Sequence, residues 1–256
     1  MIRSFCVIAV IMALTPVLGT MLMTVGLLIP ARWCFNPTFR FWSWAILKAA
    51  GVKLVVTGAE HVPSDTPCFF VGNHQSAMDI PAMAVVTRGR VRFMAKKSLF
   101  YIPFMGWSIW MHGFVPVDRS NPRSAKRELD RMFKRLARKA VSMLVFPEGT
   151  RTEDGSIREF KRGSLRVCKQ AAMPIVPFAI DGSRAVHRRH SLRVYSGTIR
   201  VALGRQISKG EIERLDVLVL SKRVRGDVLN LMHGDQDSEE TSMDHRGASA
   251  SCGGAS

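Results

Sequence analysis

The run Asn73-His74-Gln75-Ser76-Ala77-Met78-Asp79 sets an imidazole five positions ahead of a carboxylate. The apolar run Cys68-Phe69-Phe70-Val71 precedes it and reads as a buried strand, while Ile80 to Val86 reads as a helix. Residues five apart on a regular helix lie about 140° round the axis and do not meet. They meet if His74 stands on the turn and Asp79 in the first helical turn. A carboxylate bonded to one imidazole nitrogen fixes the tautomer and raises the basicity of the other. Such a pair takes a proton from a hydroxyl. The plainer alternative is a histidine at a helix start, with Asp79 as a favourable charge at that helix's N-terminus.

A second candidate stretch is Phe146-Pro147-Glu148-Gly149-Thr150-Arg151, which follows the apolar run Ser142 to Val145. Gly149 permits a tight turn after a strand. Arg151 offers a planar fork of donors to phosphate oxygens, and Glu148 can accept a bond from a polyol hydroxyl. A charged turn in which Glu148 and Arg151 pair is the plainer reading. Ser76 and Cys68 are the nearby nucleophile types, but neither lies in a GxSxG elbow, and Ser76 reads as a cap for the helix that follows. His61 and His112 read as structural or exposed. His187 and His190 stand among Arg184, Arg188 and Arg189 in a basic loop, which either meets anionic lipid or donor phosphates or is simply solvated. Phe160-Lys161-Arg162-Gly163 is a further basic segment, which either extends a phosphate-binding surface or is simply solvated.

Strand-length apolar runs alternate with helical segments from Gly51 onward, which argues for a layered α/β domain. Strands are expected at 53–58, 68–71, 91–95, 113–117, 142–146, 175–180 and 198–203, the fourth at a sheet edge because of Pro116. A helix is expected after Asn121-Pro122, with Leu129, Met132, Phe133, Leu136 and Ala140 at helical spacing, and another from Glu211 to about Leu231. Residues 51–232 are thus expected to form one domain, with an anchor at 1–50 before it and a tail without stable structure at 233–256 after it.

Phe5 to Ala31 is almost wholly apolar, with no charge between Arg3 and Arg32. A helix of that length spans roughly 40 Å, enough for a ~30 Å hydrocarbon core. A cleaved signal peptide is the competing reading, but the apolar run continues to Pro30. Arg32 to Ala50 mixes Phe35, Phe39, Phe41, Trp42 and Trp44 with Arg40 and Lys48, which suits the headgroup level or a second packed helix. Bases after the first segment outnumber those before it, so a spanning helix would leave the main domain cytoplasmic. The net charge is +17, and residues 233–256 carry −4, leaving +21 on the rest. A basic body with an apolar N-terminus points to an anionic membrane surface as partner. The basic helix expected at 123–139 has few aromatics, on its apolar face, which argues against a nucleic-acid stacking platform. The five cysteines show neither paired nor metal-ligand spacing, so reduced thiols and no metal are expected.

Taken together, these stretches resemble the glycerophosphate acyltransferase superfamily, and within it the 1-acylglycerol-3-phosphate acyltransferases. Asn73 to Asp79 is similar to that family's NHxxxxD block, and Phe146 to Arg151 is a complete FPEGTR. Gly113-Phe114-Val115-Pro116-Val117-Asp118-Arg119 resembles its second block, and Val176 to Ile180 its fourth. Ala95-Lys96-Lys97-Ser98-Leu99 resembles its lysine-containing segment, with Ser98 where the pattern often has glutamate. The resemblance covers about residues 51–205. It implies that His74 and Asp79 are catalytic. It further implies that Lys96, Arg119 and Arg151 hold an acceptor phosphate while Glu148, Gly149 and Thr150 shape the glycerol pocket. A lysophospholipid would be the acceptor and acyl-CoA or acyl carrier protein the donor, with no bound cofactor. A non-catalytic, membrane-anchored anionic-lipid or nucleic-acid binding protein is the alternative of another class.

Overall fold

The computed structural model describes residues 1–25, 28–29, 31–64, 66–111, 113–117 and 141–248. The helix expected after Asn121 and the last eight residues of the expected tail lie outside them, as do His112 and Arg119.

Two helices open the chain, α1 (Ile2–Val25) and α2 (Ala31–Ala50). A seven-stranded sheet follows in the order β1-β7-β6-β2-β5-β3-β4. Its strands are β1 (Val52–Thr57), β2 (Phe69–Gly72), β3 (Val91–Lys96), β4 (Val115–Val117), β5 (Ser142–Val145), β6 (Ile175–Asp181) and β7 (Gly197–Leu203). β6, β2, β5, β3 and β4 run parallel, whereas β7 is antiparallel to β6 and parallel to β1. The seven expected strands are all present within two residues, and Pro116 does stand on an edge strand. The described connecting helices are α3 (Asp79–Val86), α4 (Met105–Met111), α5 (Arg162–Ala171), α6 (Ser183–Val186), α7 (Lys209–Arg214) and α8 (Val217–Ala248).

Parallel strands covered on both faces read as continuous apolar runs, and β2 shows why. Phe69 and Val71 pack into a core with α5 and α8, while Cys68 and Phe70 pack into a core with α1, α2 and α3. Phe69 and Phe70 are fully buried, each contributing about 1.5–3 kcal/mol by burial. Gly72 ends β2 where a Cβ would sit 2.2 Å from the Phe178 carbonyl oxygen, so no larger residue lets β2 and β6 approach this closely. Arg92 is buried below α2, with its guanidinium 4.2 Å from the Phe35 ring centre and bonded to Asn36 Oδ1 and the carbonyls of Gly89 and Val91. Burial pulls its pKa down to about 9.

Two helical expectations change. The single helix from 211 is broken into α7 and α8, because Asp216 accepts from Leu218 N at 2.7 Å and starts a new helix. The tail expected from 233 is helical backbone as far as Ala248. A helix packed on a core along its first turns extends at one hydrogen bond per residue fixed, without a new nucleation step, and that propagation outweighs a polar composition.

Candidate active site

The parallel strands deliver their C-terminal ends to one edge of the sheet, where α/β domains bind ligands. β2 ends there in Asn73 and His74. Asn73 holds the turn to the next strand, donating from Nδ2 to the Ile180 carbonyl and accepting from Ile180 N at Oδ1, both at 2.8 Å. His74 Nδ1 lies 2.7 Å from Asp79 Oδ2. The same oxygen accepts from Gln75 N at 2.8 Å and Ser76 N at 2.9 Å. Asp79 is the first residue of α3, so the turn-then-helix geometry that the spacing requires is the one observed. With Nδ1 committed to the carboxylate, Nε2 is the nitrogen that can receive a substrate proton. Phe146 stacks on the imidazole at 4.0 Å between ring centres and 14° between planes. His74 is only 8% exposed, so ring and carboxylate are held in a largely desolvated setting.

β5 delivers the second stretch beside it. Glu148 is 3% exposed and faces inward. It accepts from His74 N at 2.9 Å and from Arg158 N at 3.4 Å. Burial raises its pKa above the ordinary value, although the two N–H groups pull the other way. Thr152 N donates to the His74 carbonyl at 3.0 Å, so the two turns are stitched on both sides of the histidine. Gly149 takes a left-handed φ of 75°, and a Cβ there would lie 2.7 Å from Lys161 Nζ. Lys161 precedes α5 and brings a cation to the turn. Arg151 is half-buried, and Arg189 Nη1 donates to its carbonyl at 3.4 Å. Burial holds the His187 imidazole below its ordinary pKa, with the Arg151 charge adding to that. Ser76 Oγ accepts from Met78 N at 3.2 Å and donates to the His187 carbonyl at 2.7 Å, as a turn-capping serine does. Cys68 is buried behind the turn, its thiol pushed up to about 12 by burial, which disfavours a thiolate.

A family model described as acyltransferase matches residues 53–181, half of the chain and all of the strands that build this edge except β7. The chain belongs to the acyltransferase family. It is 32% identical over 197 residues to 1-acyl-sn-glycerol-3-phosphate acyltransferase alpha of Bos taurus, covering 77% of this chain and 67% of that protein. It is 36% identical over 157 residues to a chloroplastic 1-acyl-sn-glycerol-3-phosphate acyltransferase of Brassica napus, covering 60% of this chain and 45% of that one. The chain therefore spans less than half the length of the plant relative. A Pseudomonas aeruginosa 1-acyl-sn-glycerol-3-phosphate acyltransferase is 30% identical over 173 residues, 68% of this chain and 64% of that protein. The crystal structure of the 1-acyl-sn-glycerophosphate acyltransferase of Thermotoga maritima shares the fold, with a TM-score of 0.79, 24% identity, and coverage of 88% of this chain and 91% of that one.

In this chain Lys96 closes β3 at the same sheet edge and is exposed. Thr150 is half-buried and Gly149 exposed on the β5 turn. An apolar cavity of about 300 Å³ begins at Ala77 and Met78, three and four residues past His74, and runs between α1, α2, β3 and α4 to Leu22 and Phe114. No motif or periodicity in the chain locates it. Asn73's clamp and Phe146's stacking were not anticipated either, because both depend on which distant strands lie beside β2.

Proposed function

We propose that this acyltransferase moves an acyl group from a thioester, acyl-CoA or acyl carrier protein, to the free sn-2 hydroxyl of a 1-acylglycerol 3-phosphate. His74 Nε2 takes the hydroxyl proton while Asp79 holds the ring. The oxygen attacks the thioester carbonyl carbon, the tetrahedral intermediate collapses, the C–S bond breaks, and the leaving thiolate takes the proton from His74. No acyl-enzyme and no bound cofactor are needed. Arg151 with Lys96 and Arg119 holds the acceptor phosphate. Gly149 and Thr150 line the glycerol, and Lys161 adds a cation beside them. Glu148 acts from beneath, as the clamp on the His74 backbone. The observation that carries this reading is the 2.7 Å His74–Asp79 pair, flanked in sequence by Ala77, Met78 and Ile80, which line an apolar cavity. That cavity, at the lower end of the ~300–1,000 Å³ usual for ligand sites, takes an acyl chain.

The membrane part of the proposal is that α1 and α2 seat the domain in one leaflet, on the cytoplasmic side, where bases meet anionic headgroups. α1 touches the domain at both ends. Val194 N donates to Ser4 Oγ at 2.9 Å, and Gly19 abuts Phe104 and Ser108. Phe5, Met12 and Val17 of α1 are exposed, as are Phe41 and Trp44 of α2 and Trp107 and Trp110 of α4. Such an apolar face exceeds what a water-facing surface carries and marks a lipid or protein contact.

One acyl thioester supplied with a panel of lysolipids and glycerol 3-phosphate, with products identified by mass, tests the acceptor. Phosphatidate as the dominant product is expected. His74→Ala lowers turnover roughly 10²- to 10⁴-fold and leaves membrane binding intact. Near-normal turnover in that variant would sink the base assignment, and a dominant product from another acceptor would sink the substrate assignment.

A further inference from the structure

We infer that the segment joining β6 to β7, residues 182–196, is a second membrane-docking arm, which brings an anionic leaflet to the rim of the active site. The inference rests on the reading that the enzyme works at a membrane surface, and it names a part of that surface outside the two N-terminal helices.

The segment carries Arg184, Arg188, Arg189 and Arg193 with His187 and His190, and no acid. Its root is fixed to the catalytic machinery. Ser76 Oγ holds the His187 carbonyl at 2.7 Å. Arg189 Nη1 pairs with Glu153 Oε1 at 3.0 Å, and Arg184 Nε donates to the Glu153 carbonyl at 2.8 Å. Those two arginines are therefore held by the protein, whereas Arg188 and Arg193 are exposed. His190 adopts a left-handed φ of 61°, a conformation that disfavours a non-glycine residue. Just past that turn Leu192 stands 85% exposed and Tyr195 49% exposed.

An apolar tip flanked by arginines and an interfacial tyrosine suits a headgroup layer. It is also continuous with the apolar face of α1. The Val194–Ser4 bond joins the arm to the start of that helix, where Ile2 is 81% and Phe5 73% exposed. Charge, exposed apolar tip and continuity with the helix face thus converge on one partner, an anionic bilayer. The bond from Ser76 to His187 makes the arm's height above the leaflet the height of the catalytic turn as well.

The test uses the full chain with Leu192→Cys carrying a thiol-linked environment-sensitive fluorophore, and Cys6→Ser and Cys252→Ser removing the other candidates for labelling; Cys34, Cys68 and Cys168 are buried. Trp44→Cys in the same background is the control for the helix face. On phosphatidylglycerol-containing vesicles the label at position 192 is expected to shift to the blue and to resist an aqueous quencher. On phosphatidylcholine alone it responds less. Arg188→Glu with Arg193→Glu removes that response and weakens binding to the anionic vesicles roughly tenfold or more, while turnover in detergent micelles is kept. A label at 192 that stays fully quenchable while the control at 44 is protected would overturn the arm and leave the membrane reading standing. Both labels remaining exposed would overturn both. A rise in KM for the acyl thioester in micelles with the paired charge reversals would mean that the arm binds the donor, and would overturn the leaflet assignment.

Discussion

At the residue scale, Glu148 is the side chain whose chemistry differs most from its appearance in sequence. A carboxylate beside a glycine and an arginine looks available to a substrate hydroxyl. Here one oxygen accepts from His74 N and the other from Arg158 N. Burial raises its pKa above 4.5, so at pH values just above that the folded chain binds a proton that the unfolded chain has released. Stability therefore falls as pH rises through the raised pKa. Glu148→Gln removes that slope but leaves one of the two N–H groups facing an amide NH₂, which costs about 1–3 kcal/mol. Denaturant unfolding of both proteins across that pH range checks it. The parent is expected to lose more stability than the variant on the alkaline side; equal slopes would refute the role. The His74–Asp79 contact was legible from types and spacing because it is local to one short turn. The clamp role of Glu148 was not, since it requires β2 and β5 to be neighbours, and strand order is set by packing between segments some seventy residues apart.

At the element scale, the strands were legible because each is a short apolar run bounded by turn residues, and a two-faced core needs nothing more. α5 is hidden in the sequence because Gly163 sits in its first turn and its core contact is carried by Leu165, Val167 and Cys168 among close-spaced bases. The apolar cavity was invisible for a different reason. It is a gap among α1, α2, β3 and α4, bounded by small residues such as Gly19 and Ala95 as much as by large ones. Ala95 is 3% exposed on β3 and lines that gap. Ala95→Leu fills part of it. If the acyl chain lies there, the variant prefers shorter acyl thioesters when a mixture of chain lengths competes for one acceptor. Overpacking costs about 1–3 kcal/mol, so the thermal midpoint is measured alongside. An unchanged chain-length profile in a folded variant would move the acyl chain elsewhere.

At the scale of the whole molecule, α1 satisfies the arithmetic of a spanning helix, but its contacts set a different geometry. It has 24 residues and is about 36 Å long, yet Ser4 bonds the loop before β7 and Gly19 lies on Phe104 and Ser108 before and within α4. Trp42 of α2 donates to Thr15 between those points at 3.2 Å. α1 thus runs across the domain from the β1–β7 side to the β3–β4 side. Crossing a bilayer would require basic loops at one of those contacts to cross with it. Burying a charged residue at mid-membrane costs several kcal/mol, and the contacts would otherwise have to break. Lying in a single leaflet keeps them and still covers the apolar face. Ile2→Cys and Leu28→Cys, made separately without Cys6 and Cys252, distinguish the two arrangements, because Ile2 begins α1, Leu28 lies three residues past its end, and both are exposed. With the protein in sealed vesicles, a membrane-impermeant thiol reagent is expected to meet both positions from the same side. Modification of one from outside and of the other only after the vesicles are opened would establish a spanning helix and return the aromatic face of α2 and α4 to a protein partner.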